Sequence, residues 1–149
     1  MVIVPHQDDE ILMTAGVLYQ AVKKGLQVHV VMVTNGDCDC PDYTKGRARL
    51  RETIAGCRVL GLGEEQLIFL GYADTGMPPE ESFVTHLFEE RDASRIYPSH
   101  CSGATYGLEE KPEFHMETWG EHAHYSREML KADLKQVIET YRPRNLFTT

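Results

Sequence analysis

Val2-Ile3-Val4-Pro5-His6-Gln7-Asp8-Asp9-Glu10 opens the chain, and the order of residue types in it decides the architecture. A short β-branched run that stops at a proline reads as a buried strand, because branched side chains suit a pleated surface and proline ends the ladder. Past the acidic residues, Ile11, Ala15, Leu18 and Val22 recur at steps of three and four, flanked by Leu12 and Tyr19. That is the period of one helix face. Lys23, Lys24 and Gly25 close it with a cationic last turn and a C′ glycine. A strand therefore feeds one long amphipathic helix.

The alternation continues down the chain. Gln27 to Thr34 is valine-rich and nearly continuous in apolar character, as a strand covered on both faces is, and Asn35-Gly36-Asp37 ends it. From Thr44 to Leu60 a helical stripe of Leu50, Ile54 and Cys57, extended by Gly61, is flanked by Arg47, Arg49, Arg51 and Glu52. Leu67-Ile68-Phe69-Leu70 is a third short strand. Strand, helix, strand, helix, strand predicts an α/β fold: a three-layer, Rossmann-like, mostly parallel sheet with helices on both faces. Glu80 to Glu90 reads as a further helix, with Phe83, Val84, Leu87 and Phe88 on one side. Between about Asp92 and Ala123 regularity fails, and prolines and glycines among histidines and aromatics predict a long irregular loop. Its Tyr97, Tyr106, Phe114 and Trp119 are expected to pack over a site. Leu130, Leu134, Val137, Ile138 and Tyr141 mark a last helix, and Asn145 to Thr149 begins a strand.

Composition narrows the partners. With 15 Lys plus Arg against 23 Asp plus Glu, a net charge of -8 disfavours nucleic acid or an anionic membrane surface and favours a neutral or cationic small molecule. No apolar run approaches the roughly 20 residues of a membrane span. The start lacks the features of a secretory signal, so the cytoplasm is the expected compartment. Cys38 and Cys40 are too close to pair with each other and Cys57 falls in a helical stripe, so all four cysteines, Cys101 included, are read as free thiols. The Cys38-x-Cys40 pair has no second pair at finger-like spacing.

His6, Asp8 and Asp9 stand where the first strand meets its helix, which is the reactive end of an open parallel sheet. An imidazole and a carboxylate three residues apart across such a turn can point at one ion. A neighbouring acid that does not reach the ion is suited to take a proton from water activated by it. The plain alternative is that Asp8 and Asp9 only cap the helix. Neither early strand is followed by a glycine-rich phosphate loop, which argues against a nucleotide domain.

Pro5-His6-Gln7-Asp8-Asp9-Glu10 resembles the His-x-Asp-Asp-Glu signature of the LmbE-like, or PIG-L-like, N-acetylglucosaminyl deacetylases. Gln7 stands where that family usually has proline, a change expected to matter little for the chemistry. The resemblance continues through Thr34-Asn35-Gly36, Arg49-x-x-Glu52 leading to Leu60-Gly61, and Leu70-Gly71-Tyr72-Ala73-Asp74. It implies a zinc-dependent hydrolase, another divalent cation being possible, that removes acetate from an N-acetylated aminosugar or its conjugate. It further implies zinc ligands at His6 and Asp9, a catalytic base at Asp8, and sugar contacts from Arg49 and Asp74. On their own residues, Arg49 would pair with Glu52 or another helix acid, and Asp74 would serve the turn Ala73-Asp74-Thr75-Gly76. The resemblance also implies a third zinc ligand and an acid histidine beyond Leu146-Phe147-Thr148-Thr149. Residues 1–149 are thus read as a single deacetylase domain lacking its C-terminal part. The competing class is a non-catalytic α/β module that binds a metal or a sugar through the same acidic cluster.

Overall fold

The computed structural model describes every residue except Asp39, Thr75, Gly76, Phe88, Glu90 and Thr149. The expectations that fall on Thr75 and Gly76, on Phe88 and Glu90, and on the strand residue Thr149 therefore lie outside the described residues. Along the chain run β1 (Val2–Val4), α1 (Asp9–Leu12), α2 (Ala15–Lys23), β2 (Val30–Thr34), α3 (Thr44–Val59), β3 (Leu67–Tyr72), α4 (Phe83–His86), α5 (Phe114–Trp119), α6 (Arg127–Tyr141) and β4 (Phe147–Thr148).

The strands form one parallel sheet in the order β3-β2-β1-β4. Val2 pairs with Val30 on one side and with Phe147 on the other, so β1 is the strand at which the chain order reverses. Ligands of open α/β sheets gather at that reversal, beyond the carboxyl ends of the strands.

Strand alternation builds a core on each face. Val2, Val4, Val30, Met32, Leu67 and Phe69 point to one side, where Leu18 of α2 and Leu50 and Cys57 of α3 meet them. Ile3, Val31, Ile68 and Leu70 point to the other, against Phe83, Phe114, Leu130 and Val137. Helices thus cover both faces, as the alternating sequence predicts.

Four segments differ from expectation. The single helix after β1 is broken at Met13 and Thr14, because the Thr14 hydroxyl donates to the Glu10 carbonyl at 2.7 Å and competes with the helix ladder. The helix expected over Glu80 to Glu90 is one described turn, Phe83–His86, which suffices to bury Phe83. The irregular stretch from Asp92 to Ala123 contains α5 and is packed into both cores, since Tyr97 and Phe114 are buried in the second and Leu108 in the first. The second strand also begins later than expected, at Val30, with Gln27 exposed. None of the four cysteines is in a disulfide.

Candidate metal and catalytic site

β1 ends at Val4, and the turn after it lifts His6 to Asp9 to the mouth of the sheet. Asp8 is the N-cap residue of α1: its carbonyl accepts the N–H groups of Ile11 and Leu12 at 3.0 and 2.8 Å, but its side chain makes no capping hydrogen bond. Its backbone has φ +91°, a region that residues with a Cβ seldom enter. The Asp8 N–H donates to Glu10 Oε2 at 2.9 Å, which holds that conformation. Glu10 is buried, and burial raises its carboxyl above the usual range against the opposing pull of its own and the Asp8 N–H groups.

His6 Nδ1 lies 3.0 Å from Asp9 Oδ2 and 3.6 Å from Asp8 Oδ1. No hydrogen bond joins them: His6 Nδ1 is a buried nitrogen without a hydrogen-bond partner, although a carboxylate oxygen stands at contact distance. Two electron-rich groups therefore converge without bonding each other. The separation suits a shared cation, because ligand bonds of about 2.1 Å at tetrahedral angles place ligand atoms about 3.4 Å apart. Among the described residues, His6, Asp8 and Asp9 form the one group of three such side chains whose ligand atoms lie within 4.8 Å of one another.

Arg49 reaches this turn from α3. Its guanidinium donates to the Gln7 carbonyl at 2.5 Å, to Asp8 Oδ2 at 2.9 Å and to the Gly36 carbonyl at 3.1 Å. The pairing with Glu52 that its own helix offers is replaced by Asp8, 41 residues away. Gly36 makes room for it. A Cβ at that residue would lie 2.6 Å from Arg49 Nη1 and 2.7 Å from Gln7 Oε1, and φ is +59°. Gln7 is buried and donates to the Thr34 carbonyl at 3.0 Å, so it ties the end of β1 to the end of β2. A cleft of about 500 Å³ opens beside these groups, lined by Gln7, Asp8, Glu10, Arg49, Glu52 and Thr53. Asp74 follows β3, half-buried, with its backbone N–H bonded to Asp37 Oδ1 at 2.9 Å.

The histidines of the long excursion serve other partners. His115 is buried, 2.7 Å from Asp133 Oδ1, and His122 Nδ1 is 2.9 Å from Glu113 Oε1. His124 is exposed in an isolated bridge with Ala104. Sequence reasoning passed over the buried acids Asp37, Glu113 and Asp133. Asp133 carries a readable signal, because it falls between Leu130 and Val137 on the apolar stripe of α6. Asp37 carries none, since a polar residue after a strand is ordinary.

Fold and site together define a Rossmann-like α/β protein with a metal-competent His-Asp-Asp cluster at the strand where the sheet order reverses. Residues 1–149 match the family described as PIG-L: GlcNAc-PI de-N-acetylase, and the chain belongs to that family. It is a family of deacetylases, generally metal-dependent, acting on acetylated aminosugar-type substrates. Comparison with curated proteins finds no match. No helix among the described residues is long and apolar enough to cross a membrane.

Proposed function

We propose that this chain holds a divalent cation, zinc in the first instance, through His6 and Asp9, and hydrolyses the acetamide of an N-acetylglucosamine-type substrate with Asp8 as general base. The observation that carries this reading is the approach of His6 Nδ1 to within 3.0 Å of Asp9 Oδ2 without a hydrogen bond, at the mouth of β1. A bound cation there would supply Lewis acidity toward the acetyl carbonyl and would lower the pKa of a bound water to about 7.

In this reading Asp8 accepts the proton of the attacking water. One of its oxygens is bound by Arg49, and the other faces the His6 side of the cluster. The guanidinium fixes the direction of the carboxylate through a charge-assisted hydrogen bond and leaves the second oxygen turned toward the cluster. Hydrolysis adds water across the acetamide C–N bond, releasing acetate and leaving the sugar amine. Arg49, reaching from α3 to the turns after β1 and β2, and Asp74, after β3, offer a planar donor and a carboxylate, a pair suited to the hydroxyls of a neutral sugar. The net charge of -8 accords with an uncharged or amine-bearing ligand.

The test is acetate release from N-acetylated aminosugars with and without a chelator, alongside metal content. Release that stops on chelation and returns with zinc supports the proposal. Release unaffected by chelation rejects a metal hydrolase. Bound metal with no release from any such sugar points to a binding module.

A further inference from the structure

Asp37, the residue after Gly36, is 3% exposed. Burying a carboxylate is costly unless donors satisfy it, and here donors come from the segment after β3 and from the stretch between Asp92 and Ala123. Oδ2 accepts the Tyr106 hydroxyl at 2.8 Å and the Cys101 thiol, while Oδ1 accepts the Asp74 backbone N–H at 2.9 Å. Tyr106 is itself anchored, its N–H to the Gly71 carbonyl at 3.1 Å and its carbonyl to Asn35 Nδ2 at 2.8 Å. Burial raises the Tyr106 hydroxyl and holds the Cys101 thiol up at about 11, so both remain donors at neutral pH.

The tip of β2 therefore fastens both proposed sugar contacts. Arg49 is bound to the carbonyl of Gly36, and the main chain of Asp74 is bound to the side chain of Asp37, the very next residue. Gly36 and Asp37 are adjacent, so the two links meet on neighbouring residues of one turn.

We infer that Asp37 is a positioning residue for substrate recognition: it fixes the main chain at Asp74 and hence the spacing of the Asp74 carboxylate from the Arg49 guanidinium. The inference rests on the proposed deacetylase reading, in which Arg49 and Asp74 face the sugar.

Asp37→Asn tests it. The amide keeps the volume but has one acceptor oxygen, which stays with the two donors, Tyr106 and Cys101. Its NH2 then opposes the Asp74 N–H, donor against donor. Amide hydrogen exchange at Asp74 should quicken by at least about tenfold in the variant, while Val31 and Met32 in β2 keep their protection. With an N-acetylated aminosugar, KM should rise by about tenfold with kcat little changed, the mark of lost binding rather than lost chemistry. In an Asp74→Ala background the same substitution should add nothing to KM.

An unchanged Asp74 exchange rate in Asp37→Asn overturns the inference, as does a further rise in KM in the Asp74→Ala background. If Asp37→Asn does not fold, the native protein decides: its Asp74 amide should exchange at least about a hundredfold more slowly than an unstructured one, and exchange at the unstructured rate sinks the idea. A native protein that releases no acetate, yet shows the Asp74 response, rejects the deacetylase reading and leaves the Asp37 link standing.

Discussion

Asp8 combines a backbone at φ +91°, an N–H held by Glu10 and a carboxylate held by Arg49. Such a conformation costs on the order of 1–3 kcal/mol in a residue with a Cβ, and surrounding contacts must sustain it. Asp8→Gly relieves that strain and removes the proposed base. Its unfolding free energy, from urea melts, should equal the native value or exceed it by about 1 kcal/mol, while deacetylation is lost. A clear loss of stability would show that no strain is stored there. Asp8→Asn should cut kcat at least about a hundredfold with zinc content intact. Loss of the metal instead would move Asp8 from base to ligand. The thiols offer a separate check. Burial pushes Cys57 up to about 12, and burial, with Asp37 adding to it, holds Cys101 up at about 11. At about pH 8 an alkylating agent should modify both far more slowly in the folded protein than in urea, as read by peptide mass spectrometry, because the thiolate is the reactive form.

Among the elements, α6 shows how a helix is both started and tied down. Ser126 caps it, its hydroxyl accepting the Met129 N–H at 3.3 Å, so Ser126→Ala should lower the unfolding free energy by about 1 kcal/mol. The bend in β3 is less forgiving. Gly71 has φ +76°, and a Cβ there would stand 2.6 Å from the Tyr106 carbonyl oxygen, a backbone atom that cannot swing aside. Gly71→Ala should therefore cost at least about 2 kcal/mol, and a chemical melt within 0.5 kcal/mol of native, an ordinary surface effect, would contradict the close approach. Short apolar runs and three-four spacing made β1, β2, β3, α3 and α6 legible in the sequence. They could not show the break after Leu12, where one hydroxyl competes for one carbonyl, nor α5, whose few residues carry no period.

At the scale of the whole molecule, the second core is pinned by a buried polar link across three elements: Asp133 of α6 accepts the Tyr72 hydroxyl of β3 at 2.5 Å and lies 2.7 Å from Nδ1 of His115 in α5. Burial raises the Asp133 carboxyl above its usual range, against the pull of the Tyr72 and His115 bonds. An acid with a raised folded pKa contributes stability that is complete below its unfolded value, near 3.9, and is lost as pH rises through the folded value. Asp133→Asn cannot ionise. The stability gap between native and variant should narrow as pH rises above about 4 in urea melts, and a widening gap would reverse the assignment. The alternation of the first three strands with helices, the two apolar faces and the His-Asp-Asp turn follow from the sequence alone, because they depend on periodicity and on neighbours within one short segment. Arg49 meeting Asp8, Asp37 gathering Tyr106, Cys101 and Asp74, and Asp133 joining three elements were decided by the tertiary structure. These partners are far apart in sequence, and only parallel strand pairing and two-sided packing bring them within hydrogen-bond reach.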